Sequence, residues 1–155
     1  MKTISKILLM TSLAILPITN AAAKTFGGFA PGKTFTLTVK QVNSTQSIGY
    51  KISKKNVPIP SGIPKFNVGT KVKFEIGRNG QLTSKGISLP FVSGGTGLNT
   101  YSILPTLNLL SPNGGIVTKN SKNQVTGCAL DFYKYRIPGT TINSLTVNQV
   151  TYILE

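Results

Sequence analysis

The sequence contains no histidine, no tryptophan, one cysteine and three acidic residues among 155 positions. Without histidine, the chain lacks the usual general base, a common zinc ligand and the partner that activates a serine or cysteine nucleophile. A carboxylate pair of the glycosidase type would have to join Glu75 to Asp131, and no pattern in the sequence brings them together. We therefore expect a protein that is not an enzyme and that holds no metal or cofactor.

Cysteine is almost absent, so no disulfide can form within the chain and the core must suffice for stability. A nucleophilic Cys128 would need a base that the sequence does not supply. We interpret Cys128 as a buried thiol on a strand, with an intermolecular disulfide as the alternative.

Long apolar runs are also scarce. Residues 7–18 are mostly apolar and follow two lysines, but the run is shorter than the ~20 residues that a membrane-spanning helix needs. Ala21 and Ala23 occupy the small-residue positions of a cleavage site. The sequence predicts a bacterial-type signal peptide over 1–23 and a secreted or periplasmic chain of one domain over 24–155. No later stretch predicts a transmembrane helix in that mature chain.

Apolar and polar residues alternate with a period of two over much of the mature chain. In 33–39 and 70–76 every second residue is apolar, which is typical of half-buried strands. Short strands separated by turn signals predict an all-β fold, a single-domain antiparallel β-sandwich or small barrel. Residues 104–110 offer one weak helical turn.

Two hairpins and one connection follow from turn residues. Asn79 and Gly80 predict a tight turn into a return strand over 81–92, and a second hairpin is expected to turn within 120–123. A further strand is predicted over 47–53, and the prolines that follow it, within 58–64, predict an extended connection.

Two segments share the pattern Leu-Thr-Val-x-Gln-Val, at 37–42 and 145–150. In both segments the apolar phase shifts after the first valine, since the next apolar residue comes three positions later. A step of three reverses the face of a strand, so each copy is predicted to hold a β-bulge or a bend.

Residues 27–34 satisfy the G-x-x-x-x-G-K-[ST] pattern of a phosphate-binding loop. A working loop of this kind follows a buried strand and begins a helix. Here the string comes soon after the predicted cleavage site and leads into a predicted strand. We therefore interpret it as a glycine-rich turn and not as a nucleotide site.

Charge of one sign dominates the sequence. Fifteen lysines and arginines remain after residue 23, against three acids, and eleven of the fifteen lie within 24–85. This excess favours an anionic partner such as lipopolysaccharide, a cell-wall polymer or nucleic acid, although lysines also keep β-proteins soluble and protect strand edges. The candidate anion-binding residues are Lys40, Lys51, Lys54, Lys55, Lys71, Lys73, Lys134 and Arg136.

Two further surfaces are candidates for binding. Tyr133 and Tyr135 alternate with basic residues and predict a stacking surface for bases or sugar rings. Residues 86–118 carry no charge and form either core strands or an apolar surface for a protein partner. The leading hypothesis is a non-enzymatic protein that binds an anionic envelope component or macromolecule. The alternative is an adhesin-like or inhibitor-like interaction module that uses 86–118.

Overall fold

The computed structural model describes residues 24–49, 51–91, 93–94, 100–103, 113–136 and 145–155. Ten strands occur within this described part of the chain. They are β1 (Thr34–Ile48), β2 (Lys51–Lys55), β3 (Lys71–Ile76), β4 (Leu82–Ser84), β5 (Ile87–Leu89), β6 (Ser93–Gly94), β7 (Thr100–Ile103), β8 (Gly114–Lys119), β9 (Val125–Arg136) and β10 (Thr146–Leu154).

The strands form one antiparallel sheet with the order β5-β4-β3-β1-β10-β9-β8-β7-β6. The sheet curls into a half-barrel, so the prediction of an all-β single domain is confirmed. Of the two predicted architectures, the half-barrel resembles the small barrel more than the sandwich. β1 is long enough to pair with three neighbours, since its first residues pair with β3 and its later residues pair with β10 on one edge and β2 on the other. No helix of the described residues is long and apolar enough to span a membrane.

The core lies on the inner face of the curled sheet. It is built from the alternate positions that the sequence predicts in the first and third strands, where Leu37, Val72, Phe74 and Ile76 are buried. β9 and β10 add further buried residues, among them Leu130, Phe132, Val150, Tyr152 and Leu154. Since the polar residues between them remain outside, a period of two is enough to place most of this core.

The glycine-rich string at 27–34 forms a tight turn followed by β1. Phe26 and Phe29 exchange both backbone hydrogen bonds, at 2.8 and 3.0 Å, across Gly27 and Gly28, which have φ values of 58° and 87°. Both phenylalanines are buried in the core. A strand and not a helix follows, so the interpretation of this string as a turn is confirmed.

A β-bulge interrupts β1 where the sequence predicts one. The register with β10 shifts between Val39 and Gln41, and the intervening Lys40 is exposed. Buried positions change from Leu37 and Val39 to Ser44, so the extra residue reverses the inward face.

The prediction of a bulge in the second copy of the pattern is wrong. β10 keeps one register with β9 along its whole length, and the one shift in its pairing with β1 comes from the bulge at Lys40 of β1. Val147 is opposite Tyr135 and partly buried, whereas Val150 is fully buried. Both faces of this strand are covered to some extent, so two valines on opposite faces need no change of phase.

Two predicted strands are in fact hairpins. The prediction over 47–53 is wrong because the chain turns at Gly49, with Tyr50 outside the described residues, and β2 then pairs back onto the end of β1. The return strand over 81–92 is split by a turn at Lys85 and Gly86, and β5 pairs with β4. Each turn contains a glycine with positive φ, which allows the chain to reverse. The alternation of apolar and polar residues alone does not reveal these reversals.

The remaining predicted elements are found. β3 and β4 form the hairpin that turns through Asn79 and Gly80, and β8 and β9 form the one that turns within 120–124. Residues 56–70 form a connection without regular strands, tied to β1 by a hydrogen bond from the Ser44 hydroxyl to the Val57 carbonyl. The helical turn suggested for 104–110 lies outside the described residues.

Candidate functional site

The candidate lysines do not form one patch. Lys71 and Lys73 lie on the outward face of β3, whereas Lys51, Lys54 and Lys55 are exposed on β2. Lys71 is opposite Thr38 of β1 and Lys51 is opposite Ile48. Ten residues of a strand cover roughly 30 Å, so the two groups lie at different ends of β1.

The other predicted basic residues have separate surroundings. The Lys134 ammonium group donates to the carbonyl and hydroxyl oxygens of Ser61 at 2.7 and 3.1 Å. This lysine therefore joins β9 to the 56–70 connection. Arg136 is exposed at the end of β9, and Lys40 is exposed at the bulge.

A groove of about 880 Å³ runs along β3. One wall is formed by Pro64, Lys65 and Phe66 of the connection, and the other by residues 83–86 around the β4–β5 turn. Lys65 and Lys85 join Lys71 and Lys73 around it, and Glu75 supplies one negative charge. Four lysines and one acid give the groove a net charge of +3.

Sequence reasoning identified two of these four lysines. Lys65 follows a proline-rich segment and Lys85 lies in a turn, so neither belongs to a strand pattern. They come close to β3 only because of the path of the connection and the early end of β4. The signal for Lys85 is the glycine that follows it, because a hairpin turn predicted at 85–86 would have placed Lys85 beside β3.

The floor of the groove is the backbone edge of β3. The Val39 amide donates to the Thr70 carbonyl and the Ile76 amide donates to the Lys33 carbonyl, both at 2.9 Å. These bonds show that the backbone groups of Thr70 and Ile76 point toward β1. Backbone groups alternate between the two edges of an antiparallel strand, so Lys71, Lys73 and Glu75 present theirs to the groove.

β4 covers only part of that edge. Glu75 pairs with Thr83, and the Ser84 hydroxyl donates to the Lys73 carbonyl at 2.7 Å before the chain turns away. Within the described ranges, no backbone partner pairs with the amide of Lys73 or with the amide and carbonyl of Lys71. The groove thus combines free strand-edge groups with exposed cations.

The wall formed by Pro64, Lys65 and Phe66 is held in place by Tyr152, which is buried. Its hydroxyl donates to the Pro64 carbonyl at 2.6 Å, and the Phe66 ring packs edge-on against the Tyr152 ring at 5.2 Å. Burial raises the pKa of Tyr152, and a hydrogen bond with the Phe66 backbone opposes that shift. These contacts fix the wall relative to the core.

The predicted stacking residues lie on the outer face, away from the groove. The Tyr133 and Tyr135 rings stack on each other, with centroids 6.4 Å apart and planes 11° from parallel. The Gln149 amide donates to the Tyr133 hydroxyl at 3.1 Å. The pKa of Tyr133 is raised, mainly by burial and to a smaller extent by the negative charge of Asp131. Since the rings face each other, each leaves at most one face for a ligand.

The groups considered for catalysis are far apart or buried. Glu75 is opposite Thr34 of β1, whereas Asp131 aligns through Thr151 with Asn43. Nine strand residues separate these positions by roughly 30 Å, which is too far for a glycosidase pair. Cys128 is a buried thiol on β9, as predicted, and burial raises its pKa to about 12.

Parts of the uncharged stretch 86–118 belong to the core. Ile87, Leu89 and Val117 are buried, and Ile116 is 43% exposed on the opposite face of β8. Residues 92, 95–99 and 104–112 of this stretch lie outside the described ranges. Among the described residues, no three histidine, cysteine, aspartate or glutamate side chains are grouped as metal ligands.

A comparison of the chain with protein-family models, with curated proteins and with solved structures finds no match in any of the three.

Proposed function

We propose that this protein is a secreted or periplasmic, non-enzymatic binding protein that holds an anionic macromolecule in the β3 groove. The observation that carries the proposal is the meeting of Lys65, Lys71, Lys73 and Lys85 around one groove of about 880 Å³. A concave site lined by charge of one sign concentrates oppositely charged ligands more than scattered surface lysines do. The net charge of the chain adds a long-range attraction for the same partners.

The location outside the cytoplasm rests on the sequence of residues 1–23. The expected exported product begins at Lys24, and its intact mass measures where cleavage occurs. A product that retains the first 23 residues contradicts this part of the proposal.

Heparin, a flexible sulfated polyanion, is a suitable probe of the groove. Retention of the mature protein on heparin is expected to persist above about 0.15 M salt, because several lysines release counterions together. Replacement of Lys71 and Lys73 by glutamine is expected to reduce the slope of log Kd against log salt by about two.

The matched control replaces Lys51 and Lys54 of β2 by glutamine. It removes the same charge from exposed strand positions, and both double variants are expected to keep their free energy of unfolding within about 0.5 kcal/mol. The proposal predicts a clearly smaller loss of heparin affinity for this control. Equal losses in the two variants, or elution of the unmodified protein below about 0.15 M salt, contradict it.

A further inference from the structure

We propose that the partner in the β3 groove is an acidic polypeptide in extended conformation, which pairs with the free edge of β3 as an additional antiparallel strand. This inference rests on the proposed function, because it uses the same groove and the same lysines. It adds the chemical class of the partner and its direction relative to β3.

The backbone of β3 supplies the first part of the fit. Lys71 offers an amide and a carbonyl to the groove, and Lys73 offers an amide, with no partner for these groups among the described residues. A strand edge of this kind is a template for a further strand, since main-chain hydrogen bonds hold any sequence in extended form. Every strand pairing in the described sheet is antiparallel, so the same direction is expected here.

The side chains supply the second part. On β3, Lys71 and Lys73 point outward, whereas Val72 and Phe74 point into the core. Side chains directly opposite each other in an antiparallel pair lie on the same face. A peptide residue opposite Lys71 therefore lies beside an ammonium group, and the next one faces the apolar side, where Phe66 is partly buried. The groove fits a sequence in which acidic and apolar residues alternate.

Other occupants fit less well. A second copy of this chain would bring a further excess of lysines and only three acids, so the two grooves would repel each other. A nucleic acid or polysaccharide would meet the lysines but has no alternating amides and carbonyls to complete the ladder of β3. The edge of β2 is also basic, but all five residues of β2 are exposed, so this strand does not lie in a groove as β3 does.

The test uses the mature protein and a short labelled peptide of alternating glutamate and valine, whose binding is followed by fluorescence anisotropy. Two derivatives carry N-methyl groups, one on the glutamate amides and the other on the valine amides. In the antiparallel register, glutamates lie opposite the lysines and their amides point to β3. N-methylation of glutamate is expected to weaken binding at least fivefold, and N-methylation of valine by less than twofold.

The Lys71→Gln, Lys73→Gln double variant is expected to weaken peptide binding at least tenfold, and the Lys51→Gln, Lys54→Gln control by less than twofold. Equal effects of the two N-methylated peptides overturn strand addition. Loss with methylated valine alone overturns the antiparallel register. If the protein dimerises when the peptide binds, the proposal that one peptide occupies the groove of one molecule is overturned.

The heparin experiment separates this inference from the proposed function. Heparin binding that depends on Lys71 and Lys73, together with no peptide binding, leaves the groove as an anion site and overturns the polypeptide partner. Heparin binding that is indifferent to these lysines overturns the proposed function, whatever the peptide does.

Discussion

Lysines in this protein act in two ways, which their contacts distinguish. Lys119 donates to the Gly27 carbonyl at 2.5 Å and to Asn123 at 2.7 Å, and it lies 5.3 Å from the centre of the Phe29 ring. Lys134 holds the 56–70 connection through Ser61. Both are structural cations with backbone partners, whereas the ammonium groups of Lys71 and Lys73 lie exposed beside the groove and hold no acceptor among the described residues. Counting charges in the sequence treats these residues alike, although only the lysines whose ammonium groups are not already held suit a ligand.

Burial in the core controls the acidity of the Cys128 thiol. Its pKa rises from 9.0 to about 12 because the core desolvates the thiolate. Below pH 9 the thiol is neutral in both folded and unfolded chains. Above pH 9 the unfolded thiol ionises while the folded one does not, so stability is lost as the pH rises toward 12.

The expected effect of Cys128 is a loss of about 1.4 kcal/mol in the free energy of unfolding between pH 8 and pH 10. Urea denaturation at both values measures it. The Cys128→Ala variant is the control, since its own loss over this interval should be smaller by that amount. Identical pH dependence in the two proteins contradicts a buried, protonated thiol.

At the scale of the element, the bulge at Lys40 decides which face of β1 enters the core. Leu37 and Val39 are buried before it and Ser44 after it. Loss of one residue would move every later side chain of β1 to the opposite face or break its register with β10. The side chain of Lys40 has no part in this, because it is exposed.

Deletion of Lys40 is therefore expected to lower the free energy of unfolding by about 3 kcal/mol or more, or to prevent folding. Replacement of Lys40 by alanine, which keeps the extra residue, should change it by less than about 0.5 kcal/mol. Circular dichroism during urea denaturation measures both. A deletion variant as stable as the alanine variant would show that β1 does not need the bulge.

The strands of this sheet were predictable to different degrees. β3 and the part of β1 before the bulge alternate strictly between apolar and polar residues, and this alternation predicts the buried Leu37, Val39, Val72, Phe74 and Ile76. The two wrong strand predictions occur where the chain reverses, at Gly49 and at Lys85 and Gly86. In 47–53 the apolar residues stay in phase through the turn, so the pattern does not mark the reversal, although Ile48 and Ile52 are exposed. In 81–92 the apolar phase shifts between Leu82 and Ile87, and the alternation within 87–91 alone does not reveal the turn.

At the scale of the whole molecule, the topology creates the candidate site. β4 ends after three residues and the 56–70 connection returns across the core, which leaves part of the β3 edge open between two walls. The sequence indicated Lys71 and Lys73 because they belong to a strand pattern. It did not indicate Lys65 and Lys85, whose approach depends on chain path, and it did not predict that the lysines of β2 would lie at the other end of β1.

The central claim is that anionic ligands bind along β3 and not wherever lysines are exposed. Backbone amide chemical shifts of the labelled mature protein, recorded during titration with a short heparin fragment, test it most directly. The account predicts that the largest shifts occur in residues 65–66, 71–74 and 84–86, with those of β2 nearly unchanged. Shifts of equal size in β2 and β3, or shifts that are largest in β2, would contradict it.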